Sequence, residues 1–344
     1  MKKVIFLFFV SLISLNIFAL STGELLNSVK INNTDYLLNE LNYESNMIDY
    51  ENAKITADSS AAKLNVQNTY YSIMKGYETT KINLIKNLVN YLFTLKNDQI
   101  NLQIKQLSFE NAQKNYNDSQ NLYKKNLISH SNLLNSEYNF KNSQYNLENA
   151  KISLMKDFDD FKIFINSDDA TLNYNLVINF PELPELTPEK VAGLVENDYD
   201  YLIQKTSYQI TLNEYNATKD ILTGSDLRKK EIDLKKKELN LKELKISKTR
   251  EIIELINDIN LAKLDLSSSL INLQYLEENL KDTEKRYDSG LIEKTQFNQS
   301  KISFLSTIMQ INNKKMGLVL KYIDLYNYLN EDINNKLLEL IEVK

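Results

Sequence analysis

Apolar residues recur along this chain at intervals of seven. Leu88, Leu95, Leu102, Phe109, Tyr116 and Tyr123 form one unbroken ladder, and a shift of 164 residues carries it onto Ile252, Ile259, Leu266, Leu273, Leu280 and Tyr287. A sustained seven-residue period is the seam of a helix that packs along its length on a near-parallel neighbour with left-handed supercoiling. Ile100 and Leu107 in the first half, and Leu264 and Ile271 in the second, add a further row to each ladder. Two apolar stripes let one helix touch neighbours on both sides, as a barrel of helices requires. An ordinary helical bundle or extended coiled coil has the same period.

The shift of 164 is an internal repeat. Tyr123, Leu127 and Ile128 fall on Tyr287, Leu291 and Ile292, and Ser136 and Phe140 fall on Ser300 and Phe304. With one more residue of offset, Asp35-Tyr36-Leu37-Leu38 falls on Asp200-Tyr201-Leu202-Ile203. Each half is predicted to contain one long helix, Ala61 to Lys125 or Leu227 to Asp288, of about 98 or 93 Å at about 1.5 Å per residue. Two shorter helices flank each long one: Asp35 to Ile55 and Asn132 to Ile165, then Asp198 to Lys219 and Thr295 to Asn330. Stacked end to end, each short pair imitates a second long helix. Residues 20–165 and 191–330 are the two repeats and 166–190 the linker between them. Phe161 to Ile165 and Leu172 to Phe180, rich in β-branched and aromatic residues, predict a short strand or two there. Residues 331–344 read as a tail, a short helix or a frayed end.

Composition sharpens this picture. The 344 residues include only six Gly and three Pro, too few for the turns of a sandwich or a doubly wound sheet. Pro181, Pro184 and Pro188 all lie in the linker, so both halves are without proline. The absence of Cys removes disulfides and thiolate chemistry. Lys2 and Lys3 precede an apolar run from Val4 to Phe18, and Ala19 offers a cleavage position, so 1–19 read as a secretory signal peptide and the chain as exported. Without Lys2 and Lys3 the 41 basic residues fall to 39 against 46 acidic ones, a formal charge of −7 that argues against nucleic-acid binding.

Catalytic chemistry finds no foothold. His130 is the only histidine, which leaves no His-based triad or multi-His metal site within one chain. Asp159-Asp160, Asp168-Asp169 and Glu277-Glu278 have no accompanying nucleophile or base and read as solvated faces. No glycine-rich phosphate loop exists, and no cofactor or metal is expected. The run from Arg228 to Glu238 pairs Lys or Arg with Glu at helical spacing, with contact to anionic head groups as the alternative reading.

The signal peptide, the duplication and the turns Tyr123-x-x-Asn126-Leu127-Ile128 and Tyr287-x-x-Gly290-Leu291-Ile292 together resemble the TolC-like outer-membrane efflux family. The matching segments are Asn121 to Ala150, Arg286 to Phe304 and Val191 to Leu202. The resemblance implies an all-α barrel protomer, a homotrimer, and a conduit that works with a periplasmic adaptor and an inner-membrane pump in efflux or type I secretion. It places adaptor docking at Tyr123, Asn126, Leu127, Ile128, Ser129, Tyr287, Gly290, Leu291 and Ile292. It places the pore mouth at Asn132, Gln296 and Gln299, amides where the family carries carboxylates, with Asp288 and Glu293 as substitutes. The chain would lie in the periplasm or at the outer membrane.

One departure stands out. The family builds its membrane β-barrel from hairpins inserted before each long helix, but here those connections are Thr56 to Ala61 and Thr223 to Asp226. A transmembrane strand needs about 9 to 11 residues. Both connections read as helix-to-helix turns with Ser or Asp as N-cap, so the barrel is expected to be absent or vestigial and the distal end to meet another outer-membrane protein or lie beneath the membrane. The competing class is a coiled-coil structural or interaction protein without a pore.

Overall fold

The computed structural model describes residues 20–343 apart from 169, 171 and 173, so the expected signal peptide and part of the Asp168-Asp169 pair lie outside the described residues. In chain order the elements are α1 (Thr22–Asn32), α2 (Thr34–Thr56), α3 (Ser60–Lys124), α4 (His130–Ile165), β1 (Leu176–Ile178), α5 (Pro188–Val195), α6 (Tyr199–Thr218), α7 (Gly224–Asp288), α8 (Lys294–Tyr328), α9 (Ile333–Leu340) and β2 (Ile341–Val343). The long helices α3 and α7 each have 65 residues, and the shift of 164 superimposes both of their ends.

α3 packs on α4 and α8 over one half of its length and on α2 and α6 over the other, while α7 packs on α8 and α6. The molecule is therefore a layer four helices wide, ordered α4, α3, α8, α7 toward the hairpin turns and α2, α3, α6, α7 toward the opposite, blunt end. The two short helices on each side do substitute for one long helix.

The seams follow the heptads. Leu88, Leu95, Ile252, Ile259 and Leu266 are buried, and the lower rungs from Leu102 and Leu273 onward are half-buried until Tyr123 emerges at the turn. Polar rungs fix the register beside them. Lys314 and Lys321 of α8 bind Asp265 and Asp258 of α7, both at 2.6 Å, and the Tyr328 hydroxyl donates to Glu251 at 2.7 Å. Three rungs seven residues apart on both helices make a zipper that tolerates no slip. Tyrosine fills the α2–α3 seam, where Tyr43 stacks on Tyr77 with centroids 4.2 Å apart.

The core is thickest at the middle of the layer, where the termini meet. α1 buries Leu25, Leu26 and Val29, and α9 buries Leu337 and Leu340. β1 and β2 pair antiparallel, Leu176 opposite Val343. The buried Thr22 hydroxyl donates to the Ile341 carbonyl at 2.9 Å and accepts from the Val343 N–H at 3.0 Å.

Two local expectations are corrected and one open alternative is decided. Phe161 to Ile165 completes α4 as helix, because Phe161 and Ile165 lie one turn apart and are both buried in the core. Of the two readings of the C-terminal segment the short helix holds, as α9, and with β2 it is part of that core instead of fraying. The second blunt-end connection lies upstream of its expected place, at 219–223, because Gly224 takes φ 62° and already opens α7; no side chain caps that helix. The first connection, 57–59, is as short as expected, and Ser59 caps α3 by accepting from the Ala62 N–H. α1 had no counterpart in the heptad pattern, although its capping box of Ser21 and Glu24 is legible in the sequence.

Candidate docking tips and chain edges

Both hairpin turns are built by the same device. After α3, the Leu127 N–H donates to the Leu122 carbonyl and the Asn126 N–H to that of Tyr123, with Asn126 at φ 56°. After α7, the Leu291 N–H donates to Arg286 and the Gly290 N–H to Tyr287, with Gly290 at φ 70°. These paired bonds satisfy the last carbonyls of a helix and require a left-handed residue, which explains Asn and Gly at this point of the repeat. Such a turn usually folds its following apolar residue back onto the last helical turn. Leu291 has the charged Arg286 at that position and remains 73% exposed, and Leu127 remains 66% exposed.

The remaining tip residues divide by role. Ser129 caps α4 by accepting from the Asn132 N–H at 3.2 Å. Ile128 and Ile292 are half-buried against the turns. Tyr123 stacks obliquely on His130, and Tyr287 lies parallel to the buried Phe297 with centroids 5.1 Å apart. Asn132, Asp288, Glu293, Gln296 and Gln299 are all exposed in the single chain. Gln296 and Gln299 border a groove of about 410 Å³ between α7 and α8 with Asn279 and Ser303. Gln299 also borders a cavity of about 260 Å³ with Ser108, Asn111, Ser136 and Asn139, where α3, α4 and α8 meet. Amides and hydroxyls alternate in these linings with Leu276, Leu280, Ala112 and Ile302.

Glu293 has a partner that the sequence does not disclose. Its carboxylate accepts from the Lys114 ammonium at 2.7 Å, and Lys114 also binds Asp118 at 2.9 Å, which raises the lysine above its ordinary range. One turn away Lys294 binds Glu110 at 2.8 Å. Burial opposes ionisation of Glu110, but the Lys294 ammonium with Gln106 and Asn298 outweighs it and holds the carboxyl below its ordinary range. The Asn298 amide donates to Asn111 at 2.9 Å. Together these links tie the first hairpin to the second just behind the tips.

The stacked-helix junctions of the two repeats differ. In the first, Asn33 closes the gap between α4 and α2 by donating to the Phe164 carbonyl at 2.7 Å. In the second, the gap between α8 and α6 opens into a cavity of about 600 Å³, beside which the half-buried Lys248 binds Asp198 and Asp200. Near the blunt end Arg228, Lys229 and Lys235 pair with Glu231, Asp226 and Glu238 along the helix surface. Among the described residues no group of three or more metal-ligating side chains occurs.

Both edges of the layer carry apolar stripes at the same seven-residue interval. On one edge, Leu41, Ile48 and Ile55 of α2 and Tyr138, Tyr145 and Ile152 of α4 are all more than half exposed. On the other, α7 exposes Ile232, Leu239 and Ile246, then Leu264 and Ile271 at 68% each. The second row of the α7 ladder thus stays largely exposed in the single chain, whereas Ile100 on α3 is buried.

A layer of two such repeats is already known among solved structures. A membrane protein from Pseudomonas aeruginosa matches with a TM-score of 0.59 at 10% identity over 91% of each chain. The outer membrane protein VceC from Vibrio cholerae matches with 0.58 at 9% identity, over 91% of this chain and 96% of the other. The outer membrane channel CmeC from Campylobacter jejuni matches with 0.55 at 12% identity, over 92% of this chain and 88% of the other. The fold is TolC-like. No protein-family profile matches the sequence, and no curated protein matches it by sequence. Among the described residues this TolC-like chain has no strands other than β1 and β2, and neither the α2–α3 nor the α6–α7 connection contains one. No helix among them is long and apolar enough to cross a membrane.

Proposed function

We propose that the chain is the protomer of a non-enzymatic, TolC-like conduit in the cell envelope, exported and held in the periplasm or at the outer membrane. Three copies would close into a tube of twelve helices and dock a periplasmic adaptor, and through it an inner-membrane pump, at the tips around Leu127 and Leu291. The observation that carries this reading is the pair of apolar edges. Heptad stripes exposed on α2 and α4, and again on α7, call for helices to pack on. Two different edges on one protomer make a head-to-tail contact, which generates a closed ring when the rotation closes.

Passage through the tube would be passive. Its mouth would be lined by Asn132, Gln296 and Gln299, polar and neutral, unless Asp288 or Glu293 turns inward. The links from Lys114 to Glu293 and from Lys294 to Glu110 hold the two hairpins together, so releasing them would let the tips separate. The mass of the mature protein in solution without detergent tests the reading. A stable trimer supports it, and a monomer or dimer overturns it.

The strandless blunt end favours a second reading, a periplasmic spacer or interaction protein that has kept the fold without conducting. A trimer that passes no solute when joined to an outer-membrane partner would establish that alternative.

A further inference from the structure

The α3–α4 seam is stitched by aromatic pairs: Tyr91 with Phe161 and Phe164, Phe140 with Phe109 and Tyr116, and Tyr123 with His130. One rung breaks the pattern by setting Asp98 of α3 against Asp157 of α4. Asp98 Oδ2 is shut off from solvent and finds no hydrogen-bond donor among the described residues. Burial, and after it the neighbouring Asp157 carboxylate, push the Asp98 carboxyl up to about 6.

The surrounding polar groups are engaged elsewhere. On α3, the Lys96 ammonium donates to the Tyr174 carbonyl and the Gln99 amide to that of Leu172. From the segment between α4 and β1, the Tyr174 hydroxyl donates to the Leu92 carbonyl. On α4, Asp160 is held by Lys156. Tyr91 of α3 also faces Asp160 and Asp157, which raise its hydroxyl after burial does, and among the described residues Asp157 is the charged group that acts on Asp98.

We propose that Asp98 holds a proton and donates it in a hydrogen bond to the Asp157 carboxylate, making an acid-strengthened clasp on the first hairpin. A protonated carboxyl donates its O–H to the neighbouring carboxylate, which gives the buried oxygen a partner. The proton comes from solvent and returns to it. Loss of the proton leaves two like charges facing each other across a half-buried seam, one of them on an oxygen shut off from solvent, which is costly. The folded hairpin then holds the proton more tightly than the unfolded chain, where an aspartate titrates near ~3.9. The clasp contributes fully in acid, and its contribution is lost as pH rises through about 6. The role follows from the seam itself and does not depend on what the assembly conducts.

The test compares the full chain at about pH 5 and about pH 7.5. Wild type should melt at a higher temperature in acid. Asp98→Asn, whose amide donates at either pH, should remove at least half of that difference, and Asp157→Asn should do the same if Asp98→Asn does not fold. Hydrogen exchange over 94–102 and 153–161, corrected for the intrinsic effect of pH, should be slower in acid for wild type and insensitive to pH in the variants. Variants that keep the wild-type difference, in melting or in exchange, would overturn the proposal.

Discussion

The Lys114 ammonium lies 2.7 Å from the Glu293 carboxylate, joining the middle of one repeat to the first residue before α8 in the other. This contact crosses the two hairpins near their tips, where the apolar ladders are only half-buried and polar links, Lys294 to Glu110 and Asn298 to Asn111 among them, tie α3 to α8.

Glu293→Gln should therefore loosen the tips and leave global stability almost unchanged, because exposed ion pairs contribute little to folding. Hydrogen exchange over 286–298 should quicken while the melting temperature stays within the error of the wild type. The double variant Lys114→Gln/Glu293→Gln should add little to the single one, as both remove the same link.

Gly290 and Asn126 occupy equivalent left-handed positions, φ 70° and 56°. Gly290→Ala meets no neighbouring atom and pays only for its backbone, so it should cost about 1 kcal/mol. Asn126→Gly relieves a residue that tolerates this conformation less easily and should be neutral or slightly stabilising. Denaturant titrations of the two variants check the opposite signs.

Thr22 joins the first helix to the last strand through a hydroxyl that both donates and accepts while 4% exposed. Thr22→Val keeps the shape and strands the Ile341 carbonyl and the Val343 N–H. A loss of about 2–3 kcal/mol is expected, with faster exchange of the Val343 amide as the local signature. Thr22→Ser should restore most of it.

The apolar edges predict an assembly defect that spares the fold. Ile152→Glu on α4 or Ile271→Glu on α7, both exposed in the single chain, should leave the helical circular dichroism intact and shift sedimentation toward a monomer. A charge placed on a face that is already exposed costs the monomer little and blocks only a seam between copies. Unchanged mass in both variants would show that these stripes are not the contact.

The heptad ladders, the internal shift and the scarcity of Gly and Pro determined the six longer helices almost to their ends, because a seven-residue seam and its turn chemistry are local properties written in neighbouring residues. The shortness of the blunt-end connections was legible for the same reason, since a segment too short for a strand is short in any fold. What only the tertiary structure decided lies between residues far apart in the chain. Phe161 to Ile165 became helix because the core takes Phe161 and Ile165 on one face, against their β-forming composition. Residues 333–343 became core because Thr22 from near the other end of the chain and β1 from its middle pair with them. The link from Lys114 to Glu293, the zipper of Lys314 and Lys321, and the facing carboxyls of Asp98 and Asp157 join charges 49 to 179 positions apart. A charge on a helix surface carries no sign of its partner until packing sets the register of two helices. The sequence thus specified the rods, and their alignment specified which polar groups meet.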